Sequence, residues 1–356
     1  MVRNTRANTL IVAYQEFKKL GIDKFPLNMF DIYKNYNIPL VTYTEASKNL
    51  NFTVTVENLR AKHVDAFCFK SEKSYIVFYD DEAYSDRIPF TLAHELGHIL
   101  LKHHYYHNNG IIKRYAVLKH KDWRETEADS FAGAFLRPAP LIKILNLHIN
   151  SDIAGVFGIS GACAKVGASI AKRISTPPKL IDYFKHQFYD FIYARYCTKC
   201  HHSFIISNCK YCPICGSEEL IWDNKNLLFF SFLEYPLEGE LPLNMHYHEY
   251  PTQPNGKTQK CIQCHNENIG DNDFCHICGL PTQNFCKKGF GGCGNTIPLN
   301  ARYCPYCGTE SIYYFRKVLP SWTDEHYSYK QESNSTQHAS TIPVPLPPFL
   351  MVDNKK

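Results

Sequence analysis

The chain has 356 residues, 44% of them hydrophobic and 21% charged, with a net charge of +5. That length holds two or three domains, each with its own core, and the composition excludes a chain disordered throughout. The charge permits weak attraction to nucleic acid without demanding it, and no apolar run is long enough to span a bilayer.

Behind Met1-Val2-Arg3-Asn4-Thr5-Arg6 the short run Leu10-Ile11-Val12-Ala13-Tyr14 passes straight into Gln15, Glu16, Lys18 and Lys19. That is no signal region, and a cytoplasmic location is expected. Residues 8–21 predict a first helix with Leu10, Tyr14 and Phe17 on one face and Gly21 at its end. A second short helix is expected from Pro26 to Tyr36, then a strand from Ile38 to Tyr43. Phe67-Cys68-Phe69 and Tyr75-Ile76-Val77-Phe78-Tyr79 bracket a polar turn, which is a hairpin pattern, with Cys68 expected in the core. An exposed edge of such a sheet can pair with an extended peptide.

His94-Glu95-Leu96-Gly97-His98 follows, flanked by Phe90-Thr91-Leu92-Ala93 and Ile99-Leu100-Leu101. On a helix, histidines four apart share a face and can reach one metal ion, while the glutamate between them can reach a water bound to it. The expected ion is zinc and the expected chemistry is peptide-bond hydrolysis, with Glu95 as general base. Gly97 allows a neighbouring helix to approach closely. A catalytic zinc needs a third protein ligand. The next amphipathic segment, Trp123 to Leu136, carries Ala128, Phe131, Ala132 and Phe135 at helical spacing and sets Glu125 and Asp129 four apart on another face. Glu125 is the preferred ligand. Asp129 can accept a hydrogen bond from a ligating histidine and fix its tautomer. Glu127, the rival, points roughly 160° away from the Asp129 direction. His103, His104, Tyr105, Tyr106 and Tyr115 are candidate oxyanion donors, although His103, His104 and His107 fit better as a solvated helix end.

Taken together, Arg87-Ile88-Pro89-Phe90-Thr91-Leu92-Ala93-His94-Glu95-Leu96-Gly97-His98 and Glu125-x-Glu127-Ala128-Asp129-x-Phe131-Ala132, closing on Phe135-Leu136-Arg137-Pro138, resemble the ImmA/IrrE metallopeptidases. The resemblance covers residues 8 to 175, about half of the chain. It implies a minimal gluzincin-like α+β domain, with His94, His98 and Glu125 as zinc ligands and Glu95 as the base. The implied substrate is a repressor or similar regulatory protein. The cysteine-rich C-terminal half departs from the compact members of that family.

Residues 153–160 and 162–174 predict two helices around a turn, the second capped by Ser160. With only Lys165, Lys172 and Arg173 basic there, packing is favoured over DNA reading, and Cys163 is expected in the core. Pro177-Pro178 closes the domain, and an aromatic-rich helix is expected over 179–195.

Thirteen of the fifteen cysteines lie after residue 190. Cys197, Cys200, Cys212 and Cys215 form one four-cysteine set, Cys261, Cys264, Cys275 and Cys278 a second, and Cys286, Cys293, Cys304 and Cys307 a third with its first pair widened. Each reads as a zinc ribbon in which four thiolates close the coordination shell, so these ions are structural. The last two sets resemble a double zinc ribbon. Cys209 is left over and is the weaker alternative ligand of the first site. From Lys260 to Glu310 four basic residues face four acidic ones, so the ribbons are expected to recognise protein rather than nucleic acid. The domain plan is therefore 1–176 metallopeptidase, 177–220 connecting helix and first ribbon, 221–258 linker containing Leu227-Leu228-Phe229-Phe230, 259–316 double ribbon, and 317–356 a disordered, proline-containing tail. One catalytic and three structural zinc ions are expected. The competing readings are a non-catalytic zinc-ribbon adaptor and a DNA-binding regulator.

Overall fold

The computed structural model describes residues 6–48, 50–62, 64–70, 74–103, 111–113, 123–223, 247–289 and 291–324. These form two compact units, one up to Ala194 and one from Arg195 onward. The first unit runs α1 (Arg6–Lys19), α2 (Met29–Asn35), β1 (Leu40–Thr42), α3 (Tyr43–Ala46), α4 (Leu50–Ala61), β2 (Ala66–Lys70), β3 (Tyr75–Tyr79), α5 (Ile88–Leu100), β4 (Ile111–Lys113), α6 (Trp123–Leu136), α7 (Ala139–Ile144), α8 (Asn150–Phe157), α9 (Gly161–Arg173), α10 (Pro178–Gln187) and α11 (Tyr189–Tyr193). The strands form one mixed sheet in the order β1-β3-β2-β4, with β2 and β3 the expected antiparallel hairpin and β1 parallel to β3. This is an α+β architecture.

Where the boundaries differ from the sequence reading, a cap explains the difference. The second helix starts after Pro26, at Asn28, whose side chain accepts from the Phe30 N–H at 3.0 Å. The first strand stops at Thr42, because its hydroxyl accepts from the Glu45 N–H at 2.9 Å and opens α3. The helix pair α8 and α9 turns at Gly158, which is left-handed, and Ser160 caps α9.

Helix α5 is apolar on nearly every side, as befits a helix enclosed by its neighbours. Residues 91–99 are all buried. One side meets β2 and β3, and the other meets α6. A Cβ on Gly97 would lie 3.1 Å from Phe131 Cδ1, 3.2 Å from Phe131 Cβ and 3.3 Å from the Ala128 Cα. The bare glycine therefore lets α6 pack backbone against backbone. Behind α6 an aromatic core anchors α1 and α10. Phe17 stacks on Phe135 at 5.5 Å and meets Phe184 and Phe188 edge-on, and each such pair adds about 0.5–1.5 kcal/mol beyond burial. Cys68 is fully buried, as expected.

The second unit contains short strands β5 (Ala194–Cys197), β6 (Ser203–Ile205), β7 (Leu220–Trp222), β8 (Asn284–Phe285) and β9 (Thr296–Ile297) and the helical turn α12 (Ile312–Phe315). Packing continues past Lys317, where the tail was expected to begin. Leu319 is 3% exposed, and Arg302 Nε donates to the Pro320 carbonyl at 2.7 Å. Leu227-Leu228-Phe229-Phe230 and residues 325–356 lie outside the described residues.

Replacing Gly97 by Ala tests the α5–α6 contact. A better helix former gains about 1 kcal/mol, whereas overpacking against the Ala128 backbone and Phe131 costs about 1–3 kcal/mol. A net loss on the order of 1 kcal/mol is expected in urea unfolding followed by far-ultraviolet circular dichroism. An unchanged or raised midpoint would show that α6 yields.

Candidate metal centres

Close packing of α5 on α6 brings the predicted ligands of two separate helices together. His94 Nε2 and His98 Nε2 lie 3.0 Å apart. Glu125 Oε2 is 3.2 Å from His94 Nε2, and its Oε1 is 3.4 Å from His98 Nε2. Ligand atoms around a tetrahedral ion held at about 2.0–2.1 Å stand roughly 3.3 Å apart, so this spacing suits zinc. Burial works to raise the pKa of the Glu125 carboxyl. With both imidazoles of His94 and His98 protonated, their hydrogen bonds and charge outweigh it and hold the group well below the usual carboxylate range; a cation in the same place would take over that role as the Nε2 protons leave. The donor set is therefore one carboxylate and two imidazoles, ready for a divalent cation.

The imidazole tautomers follow from their outer partners. An ionised carboxylate only accepts, so His94 Nδ1–H donates to Asp129 Oδ1 at 3.0 Å and leaves the Nε2 lone pair facing inward. The same logic runs through a longer chain at His98. His103 Nε2–H donates to Glu127 Oε2 at 3.2 Å, its Nδ1 then accepts from His98 Nδ1–H at 2.8 Å, and His98 Nε2 is left as an acceptor. His103 is fully buried, with its ring edge-on to Trp123.

This corrects the expectation of a solvated helix end for His103. Helix α5 stops at Leu100, Lys102 adopts a left-handed φ of 61°, and the chain folds His103 back beneath the histidine pair. Its ring nitrogens are thereby engaged, so it is not a free oxyanion donor. Glu127, the rival ligand, is instead the carboxylate that holds His103. No glycine or asparagine at position 102 announces the turn, and that is why the sequence did not reveal this relay. His104, Tyr105, Tyr106, His107 and Tyr115 lie outside the described residues.

Glu95 is 2% exposed. Burial first, and then the Glu95 charge, push the pKa values of the Tyr33 hydroxyl and the Cys68 thiol upward, so both stay protonated around it. Tyr33 donates to the Leu92 carbonyl at 2.8 Å and so braces α5 from below.

The second unit holds three four-cysteine clusters, grouped as the spacing suggested. Across them the paired Sγ atoms lie 3.4–3.6 Å apart. That is far beyond a disulfide at about 2.05 Å and close to the edge of a thiolate tetrahedron, roughly 3.8 Å. Each pair closes through a left-handed residue after its second cysteine: His201, Gly216, His265, Gly279, Gly294 and Gly308. Cys209 stands outside the clusters.

The sequence reading paired the second and third sets. The structure adds a reciprocal pairing of the first and third. Lys210-Tyr211-Cys212-Pro213-Ile214-Cys215-Gly216 and Arg302-Tyr303-Cys304-Pro305-Tyr306-Cys307-Gly308 are two copies of one pattern. The Lys210 and Tyr211 amides donate to the Pro305 carbonyl at 2.7 and 3.0 Å, and the Arg302 and Tyr303 amides donate to the Pro213 carbonyl at 2.8 and 3.0 Å. Each tyrosine ring covers the glycine of the other knuckle.

Residues 47–167 match the family model of the IrrE N-terminal-like domain, a peptidase family. The match spans α5 and α6 with all four of His94, Glu95, His98 and Glu125, and it supports a metallopeptidase-type domain in this part of the chain. No curated protein matches the chain. Among the described residues, no single helix is long and apolar enough to cross a membrane.

Replacing His103 by Ala removes the acceptor that fixes His98 Nδ1–H. Loss of such a support weakens metal binding about 10–100-fold. The expected result is a drop of that size in affinity at the histidine centre, measured by chelator competition. Equal affinities would show that His98 keeps its orientation without it.

Proposed function

We propose that the first unit is a zinc-dependent endopeptidase acting on a regulatory protein such as a repressor, and that the three cysteine clusters hold structural zinc. The observation that supports this best is the convergence of His94, His98 and Glu125 at tetrahedral spacing, with a buried glutamate between the two histidines. A purely structural site has no use for Glu95. Three protein ligands also leave one position open, unlike the closed four-thiolate clusters.

In this reading His94, His98 and Glu125 hold the ion, and Asp129 and the Glu127–His103 pair keep both imidazoles aimed inward. Zinc bound there would act as a Lewis acid on the scissile carbonyl and bring the pKa of a water toward neutrality. Glu95 accepts the proton of the attacking water and delivers it to the leaving amine, work that general acid–base groups accelerate by about 10²–10⁴-fold. Its enclosed setting, with Tyr33 and Cys68 held neutral, leaves no neighbouring charge from those two groups to compete for that proton. The even balance of charge from Lys260 to Glu310 favours a protein partner for the ribbons.

Two measurements test this. Metal analysis of the purified chain is expected to find four zinc ions, falling to three in Glu125→Ala and in Cys212→Ser. Two or fewer in the folded wild type would remove the ribbon assignment. Wild type and Glu95→Gln are then expressed in the native host and protein N-termini compared. A new N-terminus produced by wild type alone is expected. Identical N-termini with the zinc still loaded would favour the adaptor reading.

A further inference from the structure

Arg137 is a buried cation for which the metal centre has no use. It ends α6 and is 6% exposed. Its guanidinium lies between two glycines: a Cβ on Gly133 would stand 2.9 Å from one terminal nitrogen, and a Cβ on Gly167 would stand 2.9 Å from Arg137 Cδ. The small residues of α6 and α9 thus leave a slot in which the planar group fits. One of its five N–H groups is accounted for, Nε donating to Cys163 Sγ at 3.0 Å. Among the described residues no carboxylate lies within ion-pair distance of it.

The charge borders a cavity of about 790 Å³. Its wall is mainly apolar, with Leu10, Ile11, Phe90, Val166, Ile170 and Leu180 among the lining groups. Two carboxylates and two cations also line it, and three of these four charges are engaged. Asp65 pairs with Arg87 at 2.5 Å, and Asp129 accepts from His94. Arg137 is the fourth. His94, Glu95, His98 and Glu125 take no part in the lining. Asp129, which accepts from the His94 nitrogen that does not face Glu125, is shared between the cavity wall and the surroundings of the metal centre, while the proposed ligands themselves lie outside the lining.

The geometry points to a binding site for a small organic acid: an apolar body filling the cavity, with one carboxylate on the Arg137 guanidinium. The volume is that of a small-molecule site, and such sites combine apolar walls with a few polar anchors. Guanidinium and carboxylate match as a two-point fork, the geometry for which arginine is better suited than lysine. Cys163, expected in the core, is only partly buried on this wall instead, and it reports on occupancy. The site stands independently of the peptidase reading, since its test needs no proteolysis.

The experiment uses the zinc-loaded full chain with octanoate and octan-1-ol, two probes of equal apolar length, in titration calorimetry. Octanoate is expected to bind at least about tenfold more tightly than octan-1-ol, the worth of a charge-assisted pair. Arg137→Met is expected to remove that preference while leaving the alcohol unchanged. Octanoate is also expected to slow alkylation of Cys163 by iodoacetamide in the wild type, read by mass spectrometry. That readout requires no variant to fold. Equal binding of acid and alcohol, a preference that survives in Arg137→Met, or an unprotected Cys163 would each overturn the site. The surviving preference would place the carboxylate elsewhere, as at the metal centre.

Discussion

The first unit depends on how closely α5 and α6 can approach. Three ligand atoms must converge to about the edge of a zinc tetrahedron, yet they come from helices whose axes normally stand 8–10 Å apart. Gly97 resolves this by placing Phe131 and the Ala128 backbone within 3.1–3.3 Å of the space a side chain would fill. With that contact fixed, the antiparallel register sets His94 opposite Asp129 and His98 opposite Glu125. The aromatic core of Phe17, Phe135, Phe184 and Phe188 then presses α6 from behind, so the position of the third ligand is braced by residues remote from it.

Burying two histidines and a glutamate inside an apolar helix is unfavourable unless each polar atom finds a partner. The solution here is asymmetric. His94 is held by one carboxylate on α6, whereas His98 is held by a second imidazole that is itself held by a second carboxylate of the same helix. Helix α6 thus supplies Glu125, Glu127 and Asp129 in three different capacities within five residues. Glu127 turns away from the other two by helical geometry and would be wasted without His103 returning beneath the pair.

The second unit reaches order by a different route. Its strands are two to four residues long, and cysteines make up much of the buried clusters around the first and third sets, while the second set adds Ile269, Leu280, Leu299, Tyr313 and Leu319. Such small clusters offset only part of the entropy of ordering the chain, and metal–thiolate bonds are what modules of this kind use for the rest. The reciprocal seating of Tyr211 on Gly308 and Tyr303 on Gly216 ties together the first and third clusters, which are far apart in sequence. If each cluster holds a metal, loss of it from either would expose the tyrosine and the two amide donors that complete the other.

The parts legible in the sequence are those where a residue type and a spacing have a single chemical use. Histidines four apart with a glutamate between them, a glutamate and an aspartate four apart on the next helix, and cysteines in repeated pairs all meet where their spacing placed them. Features that depend on one unusual dihedral or on a long-range return of the chain were hidden. Lys102 carries no mark of its left-handed turn, so His103 read as exposed, and the twin Tyr-Cys-Pro pattern stood in plain view without showing that its copies face one another. Arg137 belongs to the same class. At the end of a helix an arginine ordinarily reaches solvent or the last carbonyls, and only the glycines of two helices far apart in sequence show that this one was given an interior place. Two glycines house a cation that has no carboxylate partner among the described residues, and the apolar cavity beside it suits a negative charge brought from outside.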